Sequence, residues 1–142
     1  MPFRRRVTGF ALVTLLTASF ACGGDGDSST GPDDTHVGTF VLGSINGQEL
    51  PFSVVDGDAT ITVTSGNIAL NADRSFRDEF AYTVQQGTST EALTETALGT
   101  YVRDGTNITF NATTPAPGSY RMAFNGTTLT QVGPGFTFVY RR

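Results

Sequence analysis

The residue types that run most enzymes are scarce in this chain. It holds one histidine, His36, one cysteine, Cys22, and no lysine. General acid–base chemistry needs a titratable group held beside its substrate, and covalent chemistry needs an activated nucleophile. Neither set is present. Asp78 and Glu79 are adjacent carboxylates, but on a strand neighbours point to opposite faces, so they cannot act as a paired acid and base. Asp25, Asp27, Asp33 and Asp34 lack the spacing and the closing glutamate of a calcium loop and read as solvated linker. His36, at the edge of that polar run, is expected to be exposed and without a role. No catalytic residue, metal site or cofactor is therefore assigned, and the chain is not expected to be an enzyme. Three Asn-x-Ser/Thr matches, at Asn107, Asn111 and Asn125, arise from a composition rich in Asn and Thr. One carboxylate is odd: Asp78 shares the apolar parity of Phe76, Phe80 and Tyr82. It is either a polar group inside the fold, with Arg103 or Tyr101 as partner, or a residue at a rim or beside a bulge.

The elements that must position these residues are strands. From Ser75, Phe76, Asp78, Phe80, Tyr82 and Val84 lie on one parity and Arg77, Glu79, Thr83 and Gln85 on the other, the period of a half-buried strand. A Gly/Ser/Thr turn and a second long strand come next, then Asp104-Gly105, a strong hairpin signal. A two-residue loop there predicts Arg103 opposite Thr106, Tyr101 opposite Ile108 and Gly99 opposite Phe110. The small residue against the large ring is what a curved sheet needs. Asn125-Gly126 predicts, in the same way, Phe124 opposite Thr127, Met122 opposite Leu129 and Tyr120 opposite Gln131. Both hairpins put apolar on apolar, and the chain is read as an antiparallel all-β protein.

The remaining strands are short and turn-bounded. The first spans about 38–45. Asn46-Gly47 is a hairpin signal too, but the register it implies sets Phe40 against Ser53 and Leu42 against Pro51, so a longer or irregular connection is expected. Pro51 confines its neighbours to an edge or a short strand. Asp56-Gly57-Asp58 is a turn. Residues 59–65 and 67–72 are read as strands separated by a turn or bulge at Gly66. Ala72-Asp73-Arg74 works as a three-residue turn with Leu70 opposite Phe76. Further strands are expected over about 75–85, 91–103, 106–111, 119–124, 127–132 and 136–141. No helical period occurs outside the N-terminal segment.

That N-terminal segment is a separate matter. Arg4, Arg5 and Arg6 precede an apolar run, Val7 to Ala21, which is short for a membrane span and ends in small residues. Leu15 to Cys22 resembles a bacterial lipoprotein signal, in which the cysteine is acylated and becomes the first mature residue. Ala21 fits that pattern; Ser19 and Phe20 depart from it. The resemblance implies a signal peptide over 1–21, lipidation at Cys22 and a bacterial membrane as partner. Gly23 after the cysteine, where some sorting signals carry Asp, points by the same resemblance to the outer membrane. Residues 22–37 carry almost nothing large enough to bury and are read as a disordered tether. Without the three N-terminal arginines, six arginines face thirteen acidic residues, a net charge of −7. Such a balance argues against nucleic acid as a partner and against peripheral binding to anionic lipid.

Residues 38–142 resemble small bacterial lipocalin-like lipoproteins. The pieces that carry the likeness are Gly38-Thr39-Phe40 before an Asn-Gly turn, Ile68 to Phe76, Gly99 to Phe110, and Phe136 to Arg141. Phe40 stands where true lipocalins have tryptophan, and Arg74 where glycine is usual. The resemblance implies an up-and-down antiparallel barrel of about eight strands, a β-sandwich being the alternative fold, and no catalytic residues. Barrels of this size are just wide enough to be filled by side chains or to hold one small ligand. Candidate interior positions for a ligand are Phe76, Asp78, Phe80, Tyr82, Tyr101 and Tyr120. The wider inward set, from Phe40 to Tyr140, is rich in aromatic rings, each burying about 150–250 Å². It predicts a packed closed end with at most a small pocket at the open rim. Two function classes stay open: a carrier of a small apolar ligand, or a structural or interaction lipoprotein of the cell envelope.

Overall fold

The computed structural model describes residues 34–142. The expected signal segment, Cys22 and the tether up to residue 33 lie outside the described residues. A single 3-10 turn, Asp34–His36, leads into ten strands: β1 Gly38–Ile45, β2 Gln48–Glu49, β3 Phe52–Asp56, β4 Ala59–Leu70, β5 Ser75–Gln86, β6 Ser89–Asp104, β7 Asn107–Thr114, β8 Gly118–Phe124, β9 Thr128–Gly133 and β10 Phe136–Arg141. Every pairing is antiparallel, and eight strands form a ring in the order β1-β10-β9-β8-β7-β6-β5-β4. The ring closes where Gly38 to Val41 of β1 pair with Leu70 to Asn67 of β4. The fold is thus a closed eight-stranded barrel, not a sandwich. β2 and β3 are extra strands, attached to β1 and to β4 respectively.

The turns set the register, and two of them differ from expectation in the same way. At the β6–β7 hairpin Asp104 pairs with Asn107, so the loop is Gly105-Thr106 and not Asp104-Gly105. Gly105 has φ of 58°, the left-handed value that the first loop position of a type II′ turn requires. Tyr101 consequently faces Phe110, and Gly99 faces Ala112. At β8–β9, Phe124 faces Leu129 across a four-residue loop, 125–128. The Asn125 side chain closes that loop by accepting from the backbone N–H groups of Thr127 and Thr128 at 3.2 and 2.9 Å. Each partner is displaced by two residues. A strand has a period of two, so this displacement leaves every side chain on its predicted face. Tyr101, Ile108, Phe110, Met122, Phe124 and Leu129 are all buried. The small-against-large pairing at Gly99 also exists, but with Phe76 of β5.

Three other expectations are corrected. Asn46-Gly47 is a tight two-residue turn, with φ of 53° and 78°, and Ile45 pairs with Gln48 across it. The hairpin stops after a second pair, and β3 turns away to join β4, which is why the longer register looked poor. β3 lies at one end of the strand order, as Pro51 requires. β4 is one continuous strand through Gly66, and its irregularity falls between Val63 and Ser65. Lastly, His36 is not exposed; it is 2% accessible and packs edge-on against Tyr101 and Phe124, with ring centroids 5.5 and 6.5 Å apart. The three-residue turn at 72–74 is as expected, with Leu70 opposite Phe76.

The core fills the end of the barrel where β1 meets β4. Phe40, Ile68, Leu70, Phe76, Tyr101, Ile108, Phe110 and Leu129 are almost wholly enclosed. Phe110 stacks on Tyr120 with ring planes 2° apart and receives the edge of Phe76 at 5.0 Å. The Tyr101 hydroxyl donates to the Asn71 carbonyl at 2.6 Å, which lets a polar ring tip sit in an apolar core. The 34–36 turn plugs this end. An Arg103 nitrogen, which can only donate, lies 3.3 Å from His36 Nδ1. Arg142 reaches the carbonyls of Thr35, Val37 and Gly126 and lies 5.0 Å over the Phe40 ring. The two chain ends of the described fold are locked to each other there.

Candidate functional site

The opposite end is built differently. Beyond the Val41–Asn67 pair the β1–β4 ladder stops. Each strand carries an irregularity next to that point: β1 between Leu42 and Ser44 against β10, and β4 between Val63 and Ser65 against β5. A bulge inserts one unpaired residue, bends its strand and shifts the parity of the residues beyond it. Ile45 on β1, and Ile61 and Val63 on β4, are thereby aimed inward although Phe40, Leu42, Ile68 and Leu70 hold the other parity. The strands part, and β3 lines the gap.

A cavity of about 330 Å³ occupies this open end. Ile45 from β1, Phe52 and Val54 from β3, and Ile61 and Val63 from β4 line it. Phe80 and Tyr82 from β5 and Phe136 and Phe138 from β10 complete the lining, with Phe138 edge-on to Phe80 at 6.1 Å. The polar groups are few: Asp56, Glu95 and the Tyr82 hydroxyl. That hydroxyl donates to Glu95 Oε1 at 2.8 Å. Partial burial, and then the Glu95 and Glu91 carboxylates, push the Tyr82 phenol up to about 12, so it keeps its proton.

Of the expected interior residues, Phe80 and Tyr82 line this cavity, whereas Phe76 and Tyr101 belong to the packed half. Asp78 lies between the two, inside the barrel. Its partner is Tyr120, whose hydroxyl donates to Oδ2 at 3.1 Å, and not Arg103 or Tyr101. Its other oxygen, Oδ1, is enclosed without a hydrogen-bond partner among the described residues. Burial raises the Asp78 carboxyl from 3.8 to about 6, and the Tyr120 bond only partly offsets this. Burial together with the Asp78 charge holds the Tyr120 and Tyr140 phenols well above the usual range. Cys22 lies outside the described residues.

Ile45, Phe52, Val54 and Glu95 were not singled out from sequence. Gly43 was the available signal for Ile45, since a glycine within a strand often marks a bulge. Glu95 shares its parity with Ala97 and Gly99, small residues that give no apolar stripe to read. No group of three or more His, Cys, Asp and Glu among the described residues is placed to hold a metal ion. No described helix is long and apolar enough to cross a membrane. Comparison with protein-family models, curated proteins and solved structures found no match to the chain.

Proposed function

We propose that this chain is a lipid-anchored, lipocalin-like protein of the bacterial cell envelope, held at the outer membrane through Cys22, whose barrel takes a small apolar ligand at its open end. The carrying observation is the open-end cavity, walled by aliphatic and aromatic side chains on a rigid barrel, with a few polar groups beside them. Ligand sites in proteins have this character: concave, mostly apolar, with a small number of placed polar groups, and roughly 300–1,000 Å³ in size. At about 330 Å³ the cavity suits a small molecule or the end of a chain. The anchor rests on the residues that resemble a lipoprotein signal. Two or more acyl chains at Cys22 give stable attachment where one is marginal.

The alternative is a structural or interaction lipoprotein with no ligand. One observation favours it: the closed half holds a buried core, Phe40, Phe76, Tyr101 and Phe110 among it, and the cavity lies toward the rim. Titration with a neutral fluorescent apolar probe separates the two. Carriage requires saturable one-to-one binding by the mature chain carrying Cys22→Ser, weakened at least about tenfold in Val54→Trp, which fills the cavity from an edge strand. Signal that rises linearly without saturation, or is unchanged in Val54→Trp, makes the structural role the better reading. Metabolic labelling with a fatty acid tests the anchor, and equal label in the parent and in Cys22→Ala would refute it.

A further inference from the structure

Charge is distributed unevenly along the barrel. The described chain holds six arginines: 74, 77, 103, 121, 141 and 142. None of them lines the open-end cavity. Arg74 sits in the turn between β4 and β5, over the Tyr101 ring, and Arg77 pairs with Glu79 near the start of β5. Arg103 and Arg142 cover Phe124 at the closed end, and Arg141 ends β10 beside them. Arg121 pairs across to Thr109, early in β7. The chain has no lysine to add.

The open end carries the reverse sign. The two charged residues in the cavity lining are Asp56, at the β3–β4 tip, and Glu95, opposite Phe80, both exposed. Asp58 lies in the β3–β4 turn, where Gln86 at the top of β5 donates to it at 3.0 Å. Glu91 stands close enough to act on the Tyr82 hydroxyl. The Tyr82 proton is already committed to Glu95 Oε1, so the second Glu95 oxygen is left to accept from something else. The rings of Phe80, Tyr82, Phe136 and Phe138 offer π-faces, which attract cations.

On the proposal above that this cavity binds a ligand, we infer that it selects a single-chain amphiphile with a cationic head: the apolar tail among Phe80, Phe138 and the β3 side chains, the head at the Glu95 carboxylate beside Tyr82. A fatty acid would bring its own carboxylate to Glu95 and be repelled. Because Glu95 faces water, the preference is moderate and falls with salt.

Calorimetric titration of the mature chain carrying Cys22→Ser with three decyl probes, below their micelle concentrations, tests this: decyltrimethylammonium, decanol and decanoate. At low ionic strength the cation should bind tightest and the anion weakest, about tenfold apart or more, given charges meeting near a protein surface. In Glu95→Gln, and in 0.5 M salt, the gap should shrink to about threefold or less. Equal binding of all three, or a ranking unaffected by Glu95→Gln, overturns the charge selection and leaves the cavity a ligand site. Absence of saturable binding by any probe overturns both.

Discussion

At the closed end of this barrel β1 and β4 are hydrogen-bonded neighbours, with Phe40 opposite Ile68; at the open end the same two strands have parted around a cavity walled by Ile45 and Ile61. The strands are continuous from one end to the other, and so is their apolar parity on β5 and β10. What changes is a pair of bulges, near Gly43 and Thr64, just beyond the last β1–β4 pair. Bulged strands bend and twist away, so two inserted residues convert a filled barrel into one with a mouth. Apolar content alone therefore does not decide whether a barrel packs or binds. Phe80, Phe136 and Phe138 are as large as Phe40, Phe76 and Phe110, and they also touch one another, but they border a cavity that the other three do not.

Backbone contact at the packed end should give the largest single effect. A Cβ on Gly99 would lie 2.0 Å from the Asn111 carbonyl oxygen and 2.9 Å from Ala112 Cα, on the β7 backbone beside a register shift. Backbone cannot swing aside as a side chain can. Gly99→Val should cost at least about 4 kcal/mol in a chemical melt, in the exceptional class of substitutions, or prevent folding. A variant as stable as the parent would show that β6 and β7 do not approach in this way. Truncating one ring at each end then measures the contrast directly. Phe110, fully enclosed and stacked on Tyr120, should lose about 3–5 kcal/mol as Phe110→Ala. Phe138, which borders a cavity already present, should lose about half as much, since fewer of its contacts are within the packed core. Equal losses would mean that the open end is packed after all.

Asp78 marks the boundary between the ends, and pH reads it. Its folded value, about 6, lies above the ordinary 3.8, so the folded barrel holds a proton that the unfolded chain releases. The stability from that proton is fully present below about pH 4 and is lost as pH rises to about 6. The difference of about two pH units corresponds to roughly 3 kcal/mol. Asp78→Asn keeps an acceptor for Tyr120 but carries no charge. It should be more stable than the parent at pH 7 by up to about 3 kcal/mol, with the advantage vanishing near pH 4. Exposed carboxylates such as Asp73, held low by Ser75, contribute with the opposite sign in both proteins and cancel in the comparison. Parallel stability curves for the two across pH 4–7 would place Asp78 in water instead of in the barrel.

The sequence was informative where periodicity sufficed. Strand alternation identified the inward faces of β5, β7, β8, β9 and β10, and the faces were right even though both hairpin registers were displaced. Faces repeat every two residues, whereas a register depends on which residue opens the turn: Asp104 is still paired in its hairpin, and Asn125 is the first residue of a four-residue loop. The site was less legible for the same reason. Its walls depend on parity shifts at Gly43 and Thr64, and on β3 crossing from β1 to β4. None of these repeats along the chain. Phe80 and Tyr82 were found because β5 has no bulge, while Ile45 was missed because β1 has one. His36 was misjudged for a different cause. Its neighbours in sequence are polar, and the aromatic cluster that buries it comes from β6 and β8.

The smallest effect belongs to the turn that joins β4 to β5 at the closed end. Arg74 occupies a left-handed conformation, φ 68°, where glycine has no steric penalty. The loop is fixed on both sides: the Arg74 N–H donates to the Asn71 carbonyl at 3.1 Å, and Tyr101 donates its own N–H to the Arg74 carbonyl at 2.8 Å. Against the strain stands the guanidinium, 6.0 Å above the Tyr101 ring. Two substitutions separate the contributions. Arg74→Ala keeps a Cβ in the left-handed conformation and removes the guanidinium, so it should be less stable than the parent by about 0.5 kcal/mol. Arg74→Gly removes both, and the strain of a left-handed residue is about 1–2 kcal/mol. Glycine gives back part of that gain through its freer unfolded chain, about 0.5–1 kcal/mol. The expected order in a chemical melt is Gly, then the parent, then Ala, all within about 1 kcal/mol. Alanine matching glycine would mean that residue 74 is not left-handed, and that Leu70 and Phe76 face each other across a different turn.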